Sequence, residues 1–359
     1  MSTTPAAIAA TSAATIAASA AHEASASSIE PAGDRMRAAV QHRYGGPDTI
    51  GIETIPRPTI EADEVLVAVR AAGVDRGVWH LMTGQPYAIR LGFGFRRPKQ
   101  PVLGLDVAGT VAAVGADVTE FVVGDEVYGV ASGAYAEYAT AKATKLAPRP
   151  DHVAPEQAAT VAVSGATASQ ALFDNGRAEP GQRVLILGAS GGVGSWATLL
   201  ASAHGLHVTG VASAAKASFV RDLGADVVLD YAVDDFGDQP PFDLIVDIGG
   251  RNRISKLRRA LTRTGTLVIV GGEGGGRLTG GIGRQLRAVL LSPFARQRLT
   301  MFLAKEGAEH RTRVHDLVTA GTLTSPVDRV YSLDRAADAL RDLADGRIAG
   351  KAVISIRPS

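Results

Sequence analysis

Between Leu187 and Gly194 the chain reads Leu-Gly-Ala-Ser-Gly-Gly-Val-Gly. An apolar run, Arg183-Val-Leu-Ile-Leu187, stands before it, and a helical pattern over 193–204 follows. Glycines so placed let the backbone close on a pyrophosphate, whose charge meets free N–H groups at the helix start. Ser190, Gly191, Gly192 and Val193 are the expected contacts. The plainer alternative is a tight turn of purely structural use. The next strand pattern, Val208-Thr-Gly-Val211, runs into Ala212-Ser213, with Lys216 three residues further on. A site for an unmodified ribose would carry Asp or Glu there. A missing acid beside a cation points to a ribose 2′-phosphate and so to NADPH, with Ser213 and Lys216 as partners. The alternative for Lys216 is a solvated lysine at a helix start.

These residues need a parallel sheet to present them. From Pro155 the pattern alternates: helix over 155–173, strand over 183–187, helix over 193–204, strand over 208–211 and helix over 215–223. Strands at 227–230 and 242–247, a helix at 255–261 and a strand at 266–270 continue it. Such βαβ alternation predicts an α/β Rossmann fold with a doubly wound parallel sheet. From Arg37 to about Pro150 the period is that of strands, at 64–70, 107–114, 118–123 and 133–139. Many short strands predict a small barrel or sandwich. Strands return at 327–331 and 352–356, around a helix at 333–343.

The 359 residues suggest two domains at about 150 residues each. A net charge of +1 leaves no overall footprint for nucleic acid or an anionic membrane. The absence of cysteine excludes disulfides, thiolate metal ligands and a cysteine nucleophile. Residues 1–34 are mostly Ala, Ser and Thr, with no Lys or Arg before Arg35. They read as a disordered extension or a short Ala-rich helix that docks on a partner. Ser and Thr interrupt every apolar run, unlike a secretory signal. The 32 residues between Arg183 and Lys216 carry no formal charge. Their glycines, with His204 and His207, argue against a membrane helix. A cytoplasmic protein without a membrane partner is expected.

Further motifs are Gly104-Leu-Asp-Val-Ala-Gly-Thr-Val111, Gly124-Asp-Glu-Val-Tyr128 and Gly133-Ala-Tyr-Ala-Glu-Tyr138. Leu223-Gly-Ala-Asp226 with Asp230-Tyr231, and Gly350-Lys-Ala-Val353, complete the set. With the glycine turn, they make the chain resemble the medium-chain dehydrogenase/reductase superfamily, in its zinc-free quinone oxidoreductase-like branch. The likeness runs from about Arg37 to the end. It implies a β-rich GroES-like catalytic domain, 36–159 with 306–359, around a central Rossmann domain, 160–305, with 1–35 as the extension. Zinc members of the superfamily place Cys, Gly-His-Glu and Cys around the metal. The matched places here hold Asp75, Gly104-Leu105-Asp106 and Val163. Leu and Val cannot ligate a metal, so none is expected. The resemblance further implies Thr167 against the nicotinamide and Arg76 on the pyrophosphate. It implies Lys216 and Tyr231 on the adenosine phosphate, and Lys351 near the same cofactor. The chain departs from many zinc-free relatives, which carry Asn and Asp where it has Asp75 and Val78.

Reduction of an activated C=C leaves an enolate that must be stabilised and protonated. The segment 75–87 is expected to face the cleft, which makes Asp75, His80 and Tyr87 the candidate catalytic residues. His80 falls where relatives place His or Tyr, and its unperturbed pKa of about 6.5 suits an acid at neutral pH. Tyr87 lies near a second such position. In the alternatives His80 only hydrogen-bonds backbone beside Trp79, Tyr87 packs on Phe93 and Phe95, and water gives the proton.

Residues 248–305 carry twelve Lys or Arg and one acid, Glu273. The mixed apolar and basic segment 284–298 reads as a solvated helix face with a buried stripe. The alternatives are a substrate entrance that favours anions, or a lipid or nucleic-acid contact. The glycine-rich stretch 271–276 before it would give a mobile loop. The leading function is an NADPH-dependent, zinc-free reductase that transfers hydride to an α,β-unsaturated carbonyl or quinone. Its partner would be a small-molecule substrate, its assembly a homodimer, with no nucleic acid. The competing readings are a lyase or cyclase on the same fold, and a nucleotide-loaded protein that binds RNA or a membrane.

Overall fold

A computed structural model of the chain describes residues 35–271, 276, 278, 280–292, 295–301, 304 and 308–356. The expected extension 1–34, Glu273 and most of the stretch 271–276 lie outside the described residues. In chain order, β1 (Arg35–Val40) pairs with β2 (Gly51–Pro56). Then come β3 (Glu64–Val74), β4 (Asp106–Val114), β5 (Glu126–Val130), β6 (Tyr138–Lys142) and β7 (Leu146–Pro148). The central part supplies β8 (Arg183–Leu187), β9 (His207–Ala212), β10 (Val227–Asp230), β11 (Phe242–Asp247), β12 (Leu261–Ile269) and β13 (Arg298–Met301). The tail adds β14 (Val327–Ser332) and β15 (Lys351–Ser355).

β8 to β13 form one parallel sheet in the order β10-β9-β8-β11-β12-β13. The run Val184-Leu-Ile-Leu187 is buried on both faces, as a central parallel strand requires. The chain moves outward from β8 to β10, then returns to the other flank of β8 as β11. That reversal opens a crevice at the carboxyl ends of the strands, where α/β sheets bind ligands. The remaining strands form a curved mixed sheet, β14-β15-β3-β4-β5-β7, with β6 also on β3. Two register shifts between β3 and β4 bend it. The tail closes this sheet: β15 lies antiparallel to β3, with Ala352 opposite Val74. One buried apolar cluster joins both parts, running from Trp196, Leu200 and Val246 to Ala108, Tyr128 and Val353.

The fold class is the expected one, a Rossmann sheet with a GroES-like part, and several elements differ in detail. Segment 118–123 is a loop, because the Asp125 carboxylate accepts the Val122 N–H at 2.9 Å in place of a strand partner. Segment 133–139 becomes strand only at Tyr138; before it Ala136 makes a single bridge to Ala38. The helix expected over 155–173 breaks once, at 159–160, and then runs on to Asn175 with wide π-type turns at Val161–Gly165 and Gln170–Asn175. No helix among the described residues is long and apolar enough to cross a membrane.

Candidate functional site

At the tip of β8, Leu187 pairs with Val211 of β9 and with Asp247 of β11. Gly188 then turns the chain in the left-handed region, φ +89°. The helix Gly192–Ala203 starts on Gly191, with no side chain capping its first N–H groups. Those donors are left for an anion. Gly194 is required by space: a Cβ there would lie 2.0 Å from Gly188 O. The tail braces the turn, because Gly350 N donates to Ser190 O at 2.9 Å.

Ser213, Lys216 and Tyr231 gather at the same end of the sheet, just past β9 and β10. Asp230 is in register with Ala212, and Tyr231 N donates to Ala212 O at 3.1 Å. The Tyr231 ring is exposed. The Lys216 ammonium donates to the carbonyls of Gly346 at 2.7 Å and Ile348 at 2.5 Å. Partial burial draws its pKa down, against the charge of Asp328. An ammonium has three donors, so one remains for a ligand.

The second half of the site is a buried corner. The matched metal positions Asp75 and Val163 meet there around Asp106. Val163 N, in the first turn of its wide helix, donates to Asp106 Oδ1 at 2.8 Å. Lys351 Nζ donates to Asp106 Oδ2 at 3.2 Å and to Ser164 Oγ at 3.1 Å. Burial pushes the Asp106 carboxyl up to about 7 against the pull of Lys351, and the Asp75 charge adds to the rise. Thr167, also buried, donates its hydroxyl to Val163 O at 2.6 Å.

Two of the expected residues lie deep in the structure. Lys351 is 1% exposed. β15 carries it inward beside β3, and it supports the glycine turn from behind: a Cβ on Gly192 would lie 3.0 Å from Lys351 Cδ. Asp75 is buried and caps the helix Arg76–Thr83, accepting the Val78 N–H on Oδ1 at 3.0 Å, while its Oδ2 has no partner among the described residues. Arg76 follows it at the first turn, half-buried.

His80 ends up on backbone, its Nδ1 2.8 Å from Gln85 O. Tyr87 is exposed, and Arg90 lies 4.5 Å from the centres of both the Tyr87 and Tyr44 rings. The basic segment forms the helix Ile282–Leu291 with its stripe inverted. Gln285 and Ala288 are buried, while Leu286, Leu290 and Leu291 face outward beside Arg287. Arg284 explains the orientation by pairing with the buried Asp247 at the tip of β11 and donating to Asn252 O at 2.9 Å. Neither Asp247 nor this pairing was among the sequence candidates. A concavity of about 550 Å³ between Phe173, His204 and Arg313 holds none of the candidate residues.

A family model described as alcohol dehydrogenase GroES-like domain matches residues 61–151, and one described as zinc-binding dehydrogenase matches 223–354. The chain is 30% identical to a chloroplast envelope quinone oxidoreductase homolog of Arabidopsis thaliana, over 90% of this chain and 99% of that protein. It is 30% identical to a quinone oxidoreductase of Mus musculus, over 87% and 95%. Among solved structures, the quinone oxidoreductase from Coxiella burnetii superposes with a TM-score of 0.78 at 26% identity, over 90% of this chain and 100% of that one. A mycobacterial protein complexed with NADPH gives 0.77 at 28%, over 89% and 99%.

Proposed function

We propose that this chain, which belongs to the medium-chain dehydrogenase/reductase superfamily in its quinone oxidoreductase-like branch, is a zinc-independent, NADPH-dependent reductase of α,β-unsaturated carbonyls or quinones. The coarser class, an NAD(P)H oxidoreductase of small molecules, is that of its relatives. The observation that carries the finer reading is the tip of the parallel sheet. A glycine cradle there stands beside Ser213, Lys216 and Tyr231, and β9 ends in Ala212 with no carboxylate.

A bound nicotinamide would supply the reducing equivalent. The chain's own residues hold and shield it. The N–H groups of 190–193 and Arg76 take the pyrophosphate, and Thr167 and Val163 line the nicotinamide end. Tyr87 or His80 orients the substrate oxygen or passes it a proton. Zinc does not fit this corner. Leu105 and Val163 are aliphatic, and the Asp106 carboxylate is already engaged by Lys351 and Val163 N. We place 36–159 and 306–359 in the catalytic part and 160–305 in the cofactor part, with a homodimer contact at the open edge strand β13 and the cytoplasm as compartment.

The test is Lys216→Ala, with NADPH and NADH dissociation constants measured for both chains. A hydrogen bond to a charged group is worth about 1.5–3 kcal/mol, so NADPH should bind roughly 10- to 150-fold more weakly. NADH lacks the phosphate and should be unaffected. Equal losses for both, or tighter wild-type binding of NADH, would overturn the cofactor assignment.

A further inference from the structure

Leu105 forms one wall of a partly open cavity of about 110 Å³ in the catalytic part. Tyr44, Leu81 and Phe93 make its other walls apolar. Gln100 and Ser132 also line it, but they are satisfied: Gln100 Nε2 donates to Ser132 Oγ at 2.9 Å, and Gln100 Oε1 accepts from Val102 N at 3.3 Å. Gln41 differs. It lines the same cavity, is 1% exposed, and its Oε1 has no partner among the described residues. Its backbone N–H donates to Pro101 O at 2.8 Å, which fixes it against that wall. A buried amide end without a partner is unfavourable until something supplies the missing bond.

The cavity adjoins the reacting corner. Leu105 stands at a matched metal position, one residue before Asp106. Its Cδ1 would lie 3.6 Å from a Cβ on Gly77, beside Asp75. At the other end Tyr44 shares the Arg90 guanidinium with Tyr87.

We infer that this cavity receives the end of a substrate ring remote from the reacting carbon, with Gln41 binding an oxygen on that end. This rests on the reductase reading and narrows its substrate to a quinone whose far end is a single ring. An amide suits both oxidation states. Nε2 donates to a quinone carbonyl, and Oε1 accepts from a hydroquinone hydroxyl, with half a turn between them. The reduction adds to the quinone one hydride from the nicotinamide and one proton, taken from water directly or through Tyr87 or His80, giving the hydroquinone. Gln41 exchanges no proton. A cavity of about 150 Å³ holds benzene, so the end of the substrate seated here is no larger than one ring.

The probes are hydroquinone and phenol, the same ring with and without the far oxygen, titrated calorimetrically into the full chain. Hydroquinone should bind about 10-fold more tightly than phenol, as one hydrogen bond implies. Gln41→Leu should remove that preference at nearly constant volume. Gln41→Met serves should the first variant not fold. No binding, equal binding of the two probes, or a preference that survives the substitution overturns the subsite. A separate assay follows NADPH and NADH oxidation with 1,4-benzoquinone. No turnover with either cofactor would sink the reductase reading, while the binding difference would still stand or fall by itself.

Discussion

The cradle at the tips of β8 and β9 and the corner around Asp106 meet at Lys351, whose stem lies behind Gly192 and whose ammonium reaches Asp106. They are built in opposite ways. The cradle is consecutive main chain, and its donors are peptide N–H groups that exist whatever the side chains are. The corner is assembled from Asp75, Asp106, Val163, Ser164 and Lys351, delivered by four separate segments. A backbone site tolerates little change, because glycine has no substitute in a close approach. A side-chain site can exchange one chemistry for another. Here an ammonium neutralises the acid that stands where zinc members keep a metal-site residue, and the cradle beside it keeps its form.

The sharpest way to break the cradle is Gly194→Ala. The new Cβ would lie 2.0 Å from Gly188 O and 2.8 Å from Gly188 C, and backbone cannot rotate aside. The turn must open. We expect a stability loss of about 1–3 kcal/mol from the imposed strain. NADPH affinity should fall at least about 100-fold. Fluorescence titration of the cofactor checks this, and an unchanged dissociation constant would mean that phosphate binds elsewhere.

The corner should fail differently. Lys351→Met leaves Asp106 buried beside Asp75 without its cation. Breaking a buried pair from one side costs about 3–5 kcal/mol, whereas replacing both partners by apolar groups is often close to neutral. Urea unfolding well above pH 7, where Asp106 is ionised, should therefore show a large loss in Lys351→Met and recovery of most of it in Asp106→Leu/Lys351→Met. A double variant no better than the single would mean that the pair is not coupled.

Acidity offers a finer probe of the same corner. The folded Asp106 carboxyl keeps its proton up to about pH 7, chiefly because it is buried, while the unfolded group ionises near its reference value of about 3.9. The folded state then binds more protons than the unfolded state between those values. The stabilising contribution is complete below about pH 3.9 and is lost as pH rises through about 7. Asp106→Asn has no such group. Its stability should gain on the wild type's as pH rises from about 4 to 7, and parallel stability curves over that window would contradict the assignment.

The same contrast decides what was legible in the sequence. The glycine turn was readable because strand, turn and helix are contiguous and each carries its own pattern. Ser213 was singled out because it follows a strand whose end can be counted, and Tyr231 only through the resemblance. The carbonyl partners of Lys216 were not, since they arrive from 346–348 through the packing of the tail. Lys351 was placed near the cofactor by the resemblance alone, with no sign of its burial. Only the β15–β3 register, invisible locally, turns it inward. Asp75 was noticed as a matched position, but its capping role depends on the exact start of a helix. Gln41 left one faint signal, a polar residue closing the buried run Ala38-Ala39-Val40.

The smallest expected effect lies at the rim of the cradle, where the two modes of construction meet. Tyr231 is held by its backbone, through its N–H on Ala212 O, but would contribute to the cofactor only through its hydroxyl. Its ring is exposed, so Tyr231→Phe should leave the fold and the melting temperature unchanged. A single exposed hydroxyl competes with water for the 2′-phosphate. Its net worth should lie at or below the ordinary range of about 0.5–1.5 kcal/mol, a loss of roughly 2- to 12-fold in NADPH affinity. NADH affinity should not move, because the hydroxyl would meet only the phosphate that NADH lacks. The measurement is again a pair of cofactor titrations, and the order of the two variants matters more than either value. If Tyr231→Phe weakens NADPH more than Lys216→Ala does, the Lys216 ammonium belongs wholly to the carbonyls of Gly346 and Ile348, and the phosphate is held by the hydroxyl side of the rim.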